Sequence, residues 1–236
     1  MRQIYRRFSA GMFHQYRSSV SVKLLLAGAV VAGAVIVGYA VAQDVAGEPM
    51  GADDWPMYML DNSRSGCTRA AVRLPLREQW VYVPKAEPEQ AWADPHEMPV
   101  EGILEYPKVK FDDAYHVAVA DGRVYFGTSD NKVYCLDATS GQVKWRRFTG
   151  GPVRLSPTVS RGRVYVGCDD GYAYCFKADD GSERWKVCGG PTDERLIGSG
   201  RMISMWPVRT SVVVYDNTAY FGAGVFPGER VFLYAV

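Results

Sequence analysis

Eight side chains between residues 112 and 209 have the types needed to build a binding rim: Asp112, Asp113, His116, Arg154, Arg195, Arg201, Trp206 and Arg209. Arginine presents a rigid fork of donors that suits carboxylate or phosphate, and nearby carboxylates and an imidazole would complete a polar site. The chemistry these residues suggest is recognition of an anionic or polar ligand. The alternative is a solvated loop surface whose arginines pair with neighbouring carboxylates. Catalytic signatures are missing: the chain has no Ser-His-Asp arrangement, phosphate loop or H-E-x-x-H motif. His14, His96 and His116 are too scattered to suggest a metal cluster, and no metal site is expected. Cys67, Cys135, Cys168, Cys175 and Cys188 fit no zinc spacing, and an odd count leaves at least one thiol over.

The elements that must position these groups are written in a repeat. The stretch Gly122 to Trp145 returns in register 40 residues later as Gly162 to Trp185. Each copy holds short alternating strands separated by turn residues. The first uses Tyr115–Ala120, Arg123–Thr128, Lys132–Asp137 and Gln142–Arg147, and the second Leu155–Ser160, Arg163–Cys168, Tyr172–Lys177 and Ser182–Val187. Asp121-Gly122 and Arg161-Gly162 supply the positive φ of tight hairpins. Four strands per 40 residues, joined by two to four residues each, make an antiparallel meander. A period of this kind is the pattern of β-propeller blades. A third copy starts with Val208–Tyr215, turns at Asp216-Asn217, continues through Ala219–Gly222 and reaches a strand at Val231–Val236. A propeller closes with roughly 4–8 blades, so the expectation is an N-terminal fragment of a longer protein.

The copies diverge at one point. Twelve residues separate Trp145 from Pro157, whereas 22 separate Trp185 from Pro207, and the third copy is offset by 55 instead of 40. The extra residues fall in the connection from an outer strand to the next inner strand. In a propeller that connection crosses one face and ends at the central channel. It carries Arg195, Arg201, Met202, Trp206 and Arg209, while Asp112, Asp113 and His116 lie in the connection into the first copy and Arg154 in that into the second.

Cys135-Leu-Asp-Ala-Thr-Ser-Gly-Gln-Val-Lys-Trp145 resembles the tryptophan-docking motif A-x-D-x-x-T-G-x-x-x-W of quinoprotein alcohol dehydrogenases and other members of the pyrrolo-quinoline quinone-like (PQQ-like) superfamily. Asp137, Gly141 and Trp145 match it, and Cys135 and Ser140 stand for its Ala and Thr. The second copy keeps Gly181 and Trp185, with Lys177 and Asp180 in place of the Asp and Thr. The signatures of WD40 and kelch repeats are absent. The resemblance implies an all-β fold of four-stranded blades, eight when complete, in which each tryptophan wedges between neighbouring blades and binds no ligand. Burying 150–250 Å² of indole would contribute roughly 4–6 kcal/mol gross. It also implies that catalytic relatives hold PQQ and calcium above the channel, with adjacent cysteines beneath the quinone. No two cysteines are adjacent here. Cys135 and Cys175 occupy equivalent strand positions and read as small buried residues.

Charge and hydropathy bound the rest. Residues 1–42 carry five basic groups and no acid, leaving 22 basic against 26 acidic residues in the body. A mildly acidic body argues against a nucleic-acid partner. Leu24–Ala42 is 19 residues without charge, a membrane-targeting helix with its basic flank, residues 1–23, on the cytoplasmic side. Two readings stand: Ala40-Val41-Ala42 is a small-x-small cleavage site, while the length approaches that of a span. Arg6-Arg7-Phe8 is a faint twin-arginine signal. In either case residues 43 onward are exported, to the periplasm or to the outer side of the membrane. Residues 43–110 read as linker and irregular lead-in with one strand at Arg77–Pro84 around Trp80, and Lys85–Lys108 as a surface excursion. Residues 111–236 hold the blades, divided as 111–150, 151–190 and 191–236. The leading expectation is an exported binding or scaffold propeller with a protein or small polar ligand as partner. The alternatives are a PQQ- and calcium-dependent dehydrogenase of alcohols or sugars, and an extracytoplasmic sensor.

Overall fold

The structure, a computed structural model, describes residues 51, 53–72, 74–91, 112–198, 200–225 and 227–236. The targeting segment at 24–42 and most of the excursion at 85–108 therefore lie outside the described residues. What is described is all-β. Four strands, β1 (Val117–Ala120), β2 (Arg123–Thr128), β3 (Lys132–Asp137) and β4 (Val143–Phe148), form one antiparallel meander in sequence order. A second meander repeats it with β5 (Thr158–Ser160), β6 (Arg163–Gly167), β7 (Tyr172–Lys177) and β8 (Glu183–Cys188). A two-stranded hairpin, β9 (Arg195–Gly198) and β10 (Arg201–Ser204), precedes a three-stranded sheet of β11 (Val213–Tyr215), β12 (Thr218–Ala223) and β13 (Phe232–Ala235).

The echo in the sequence is an echo in register. Tyr125 lies opposite Cys135 and Cys135 opposite Trp145, and Tyr165, Cys175 and Trp185 repeat this. Both outer pairs shift register immediately after the cysteine. Tyr220 opposite Ala235 continues the series in the third sheet, with the alanine of the motif restored. The inner hairpins turn through two consecutive residues with positive φ, Asp121-Gly122 and Arg161-Gly162, the geometry whose twist matches paired strands. Asp216-Asn217 does the same with an asparagine in the glycine's place.

The hydrophobic core lies between sheets. Tyr125, Val133, Cys135 and Trp145 pack against Val164, Val166, Tyr174 and Phe176, and Tyr165, Ala173 and Cys175 pack against Val212, Ala219 and Phe221. The other face of the first sheet, with Phe126, Tyr134 and Leu136, is covered by Trp80 and Tyr82. β5 lies against β1 on one side and β11 on the other, so the three sheets stack face to face with their inner strands adjacent, as propeller blades do.

Several element boundaries differ from expectation. Arg77–Pro84 is not a strand, because no described segment lies beside it to complete a ladder. Its backbone is docked through side chains alone. The inner strands are shorter than expected, since residues 155–157 and 208–212 are spent crossing the face. The extra residues before the third sheet are themselves the hairpin β9–β10, with Arg201 opposite Gly198 and Met202 opposite Ile197. All five cysteines are free, and Cys135, Cys168 and Cys175 are fully buried.

Candidate functional site

Three of the eight candidate residues converge. Asp112, Arg154 and Arg209 come from the connections into β1, β5 and β11, and they meet around a fourth residue, Asp169, in the turn between β6 and β7. Arg154 donates from Nε to Asp169 Oδ2 at 2.6 Å, and from Nη1 to Asp112 Oδ2 and the Glu89 carbonyl, each at 2.6 Å. Arg209 donates from Nε to Asp169 Oδ1 at 2.6 Å and from Nη2 to Oδ2 at 2.9 Å, a bidentate grip. Asp112 also accepts from the Ala91 amide at 2.6 Å. The four side chains are between 1% and 7% exposed. Two cations and two anions thus neutralise one another away from water, which is the condition under which buried charges are tolerated.

The backbone explains why they meet. The Val153 amide donates to the Thr128 carbonyl and the Val208 amide to the Cys168 carbonyl, so Arg154 and Arg209 leave equivalent points of successive connections. Both fall beside a turn between the second and third strands of a sheet. A small recess, with room for about one water molecule, opens next to the cluster, lined by Glu89, Asp112, Tyr115, Ser129, Val153 and Arg154. Its hydroxyls are engaged: Tyr115 donates to the Ala86 carbonyl at 2.8 Å and Ser129 to the Glu87 carbonyl at 2.8 Å.

The other five candidates lie outside the cluster, and of these Arg201 reaches its edge through Glu89. Asp113 is exposed and accepts from the Gln90 amide, and His116 is half-buried beside β1. Arg195 pairs with Asp193 on the surface at 3.3 Å. Arg201 pairs with Glu89, and this contact holds the Glu89 carboxyl below its ordinary range. Trp206 is buried; its indole donates to the Glu229 carbonyl at 2.7 Å and covers Gly190. It is a packing residue in the core between the second and third sheets, 5% exposed.

The tryptophan positions form a ladder with one more rung than the motif spacing indicates. Trp145 donates to the Ala178 carbonyl at 2.8 Å and lies on Gly181, where a Cβ would fall 2.6 Å from the ring. Trp80 donates to the Ala138 carbonyl at 2.9 Å and lies on Gly141, where a Cβ would fall 2.7 Å from the ring. Both glycines have φ of +70°, so the turn requires glycine twice over. Trp185 holds the equivalent place on β8 and is half-buried against Tyr165. Asp137 braces the first turn: its Oδ1 accepts from the Thr139 and Ser140 amides at 3.0 Å and its Oδ2 meets Lys144 at 3.1 Å. Lys144 first, then Ser140, lowers its pKa to about 2.

Asp169, Glu89 and Trp80 escaped the reading of the sequence. Asp169 was findable, since it stands where the first copy has Ser129, and a buried position that turns acidic in one repeat needs a cation. Among the described residues no group of three His, Cys, Asp or Glu could hold a metal ion.

A family model described as outer membrane protein assembly factor BamB, of the PQQ type, matches residues 77–226. No curated protein matches the chain. Among solved structures, quinohemoprotein alcohol dehydrogenase ADHIIG from Pseudomonas putida HK5 is 23% identical over 45% of this chain and 20% of its own, with a TM-score of 0.38. Quinohemoprotein alcohol dehydrogenase from Comamonas testosteroni is 15% identical over 72% of this chain and 23% of its own, with a TM-score of 0.43. BamB from Moraxella catarrhalis is 14% identical over 55% of this chain and 56% of its own, with a TM-score of 0.33. The chain spans less than a quarter of either dehydrogenase. With the matched stretch covering well over half of its residues, and that stretch folded as repeated four-stranded sheets with docked tryptophans, the chain belongs to the PQQ-like repeat family.

Proposed function

We propose that this chain is part of an exported, envelope-located PQQ-like propeller that binds or scaffolds a partner and does not turn over a substrate. One observation carries the reading: the charged side chains gathered where the connections meet are spent on each other. Asp112, Arg154, Asp169 and Arg209 bind blade to blade and offer no charge to a ligand. The family description as an outer-membrane assembly factor supports the same reading, and the uncharged stretch 24–42 supports export. Whether that stretch is cleaved or kept as an anchor does not alter the side of the membrane on which residues 43 onward lie.

The dehydrogenase reading asks for PQQ and calcium. Calcium takes six to eight oxygen ligands, several of them carboxylates. The two buried carboxylates of the cluster already hold guanidinium groups at 2.6–2.9 Å, which would repel a dication. No two cysteines are adjacent, and Trp206, 5% exposed, is packed in the core and not free to stack on a quinone. The described residues do not fit these groups. Titrating the full-length protein with PQQ and calcium, while following quinone absorbance and dye reduction, should give neither binding nor turnover. Saturable binding with dye reduction would overturn the scaffold reading.

A further inference from the structure

Residues 54–62 cross the inner edges of all three sheets. Trp55 exchanges both backbone hydrogen bonds with Val119 of β1 at 2.7 and 2.8 Å. The Val159 amide of β5 donates to the Pro56 carbonyl at 2.8 Å, and the Asn62 amide group to the Val214 carbonyl of β11 at 2.8 Å. Each bond uses the edge of an inner strand that faces away from its own sheet, towards the axis on which the blades converge. Met57 and Leu60 are 8% and 5% exposed there, while Tyr58 and Met59 between them face solvent.

The segment sits at a definite end of that axis. Asp54 accepts from the Asp121 amide in the β1–β2 hairpin, at the end of the sheets opposite the connections that bear Asp112, Arg154 and Arg209. Met59 and Leu60 have φ of 55° and 77°, which bulky side chains keep only where the surroundings hold them.

We propose that residues 54–62 are a built floor: over the three described sheets they cover the inner edges on the hairpin side, so that a ligand or partner reaches those edges from the connection face. This holds whether the propeller scaffolds or catalyses. The test uses the full chain in detergent, with the exposed Cys67 thiol as internal reference for maleimide labelling. Met57→Cys and Leu60→Cys should label at least tenfold more slowly than Tyr58→Cys and Met59→Cys. In the unaltered chain, hydrogen exchange of the Trp55 and Val159 regions should be slowed at least tenfold relative to an unstructured peptide. Equal labelling rates at the four positions, or exchange of those amides at the unstructured rate, would overturn the floor.

Discussion

At the scale of single residues, Asp137 shows how a motif position acts. Its carboxylate gathers two amides, a hydroxyl and an ammonium group at the head of a tight turn. These partners stabilise the charged form and lower its pKa to about 2 from the ordinary value of 3.8. A carboxyl with a depressed folded-state pKa contributes stability that is present above its unfolded value and lost as the pH falls through the folded one. The contribution should therefore fade between about pH 4 and pH 2. Acid titration of thermal stability should show a flatter profile for Asp137→Asn than for the native chain in that window, and parallel profiles would show that the turn does not depend on the charge. The residue was legible because its place in the motif is fixed by spacing. Asp169 was legible only as an acidic residue standing where the first copy has Ser129; its partners arrive from connections 15 and 40 residues away, and no local pattern names them.

At the scale of elements, strands and hairpins were legible wherever alternation was bounded by residues tolerant of positive φ. The core of each meander, β2, β3, β6 and β7, matches its expected limits to within a residue. The inner strands were less so: an apolar run such as Leu155–Ser160 reads as a strand throughout, but only its last three residues find a partner. Trp80 makes the complementary case. Its segment alternates like a strand, with Trp80 and Tyr82 turned to the first sheet and Val81 and Val83 exposed, yet side-chain contacts of Gln79, Trp80 and Tyr82 hold it in place of a backbone ladder. If the Trp80–Gly141 seat is energetically the same joint as Trp145–Gly181, the two alanine variants should behave alike. Trp145 is buried and Trp80 half-buried, and losing a fully buried aromatic costs roughly 3–5 kcal/mol. Chemical denaturation should place Trp80→Ala within about 1.5 kcal/mol of Trp145→Ala; a near-neutral Trp80→Ala would mean that the lead-in segment rests on the sheet without holding it.

At the scale of the whole molecule, the sheets are tied at three levels. The tryptophan seats join them near their outer edges, the interleaved cores join their faces, and near the axis the ion cluster and the 54–62 segment join opposite ends. The cluster is the least expendable of these, because its charges cannot be removed singly. Taking away Arg154 leaves Asp112 and Asp169 buried with fewer donors, and breaking a buried pair in this way costs about 3–5 kcal/mol. For a chain of this size that corresponds to a melting temperature roughly 6–20 °C lower. Arg154→Met should show this loss, and Arg154→Met combined with Asp112→Asn should recover part of it, since the second change removes the stranded charge. A ligand-binding arginine would behave differently: its substitution would leave the melting temperature close to native, and the added Asp112→Asn would bring no recovery. The double variant therefore separates a cluster that holds blades together from one kept for a ligand, and recovery of stability is the outcome the paired geometry requires.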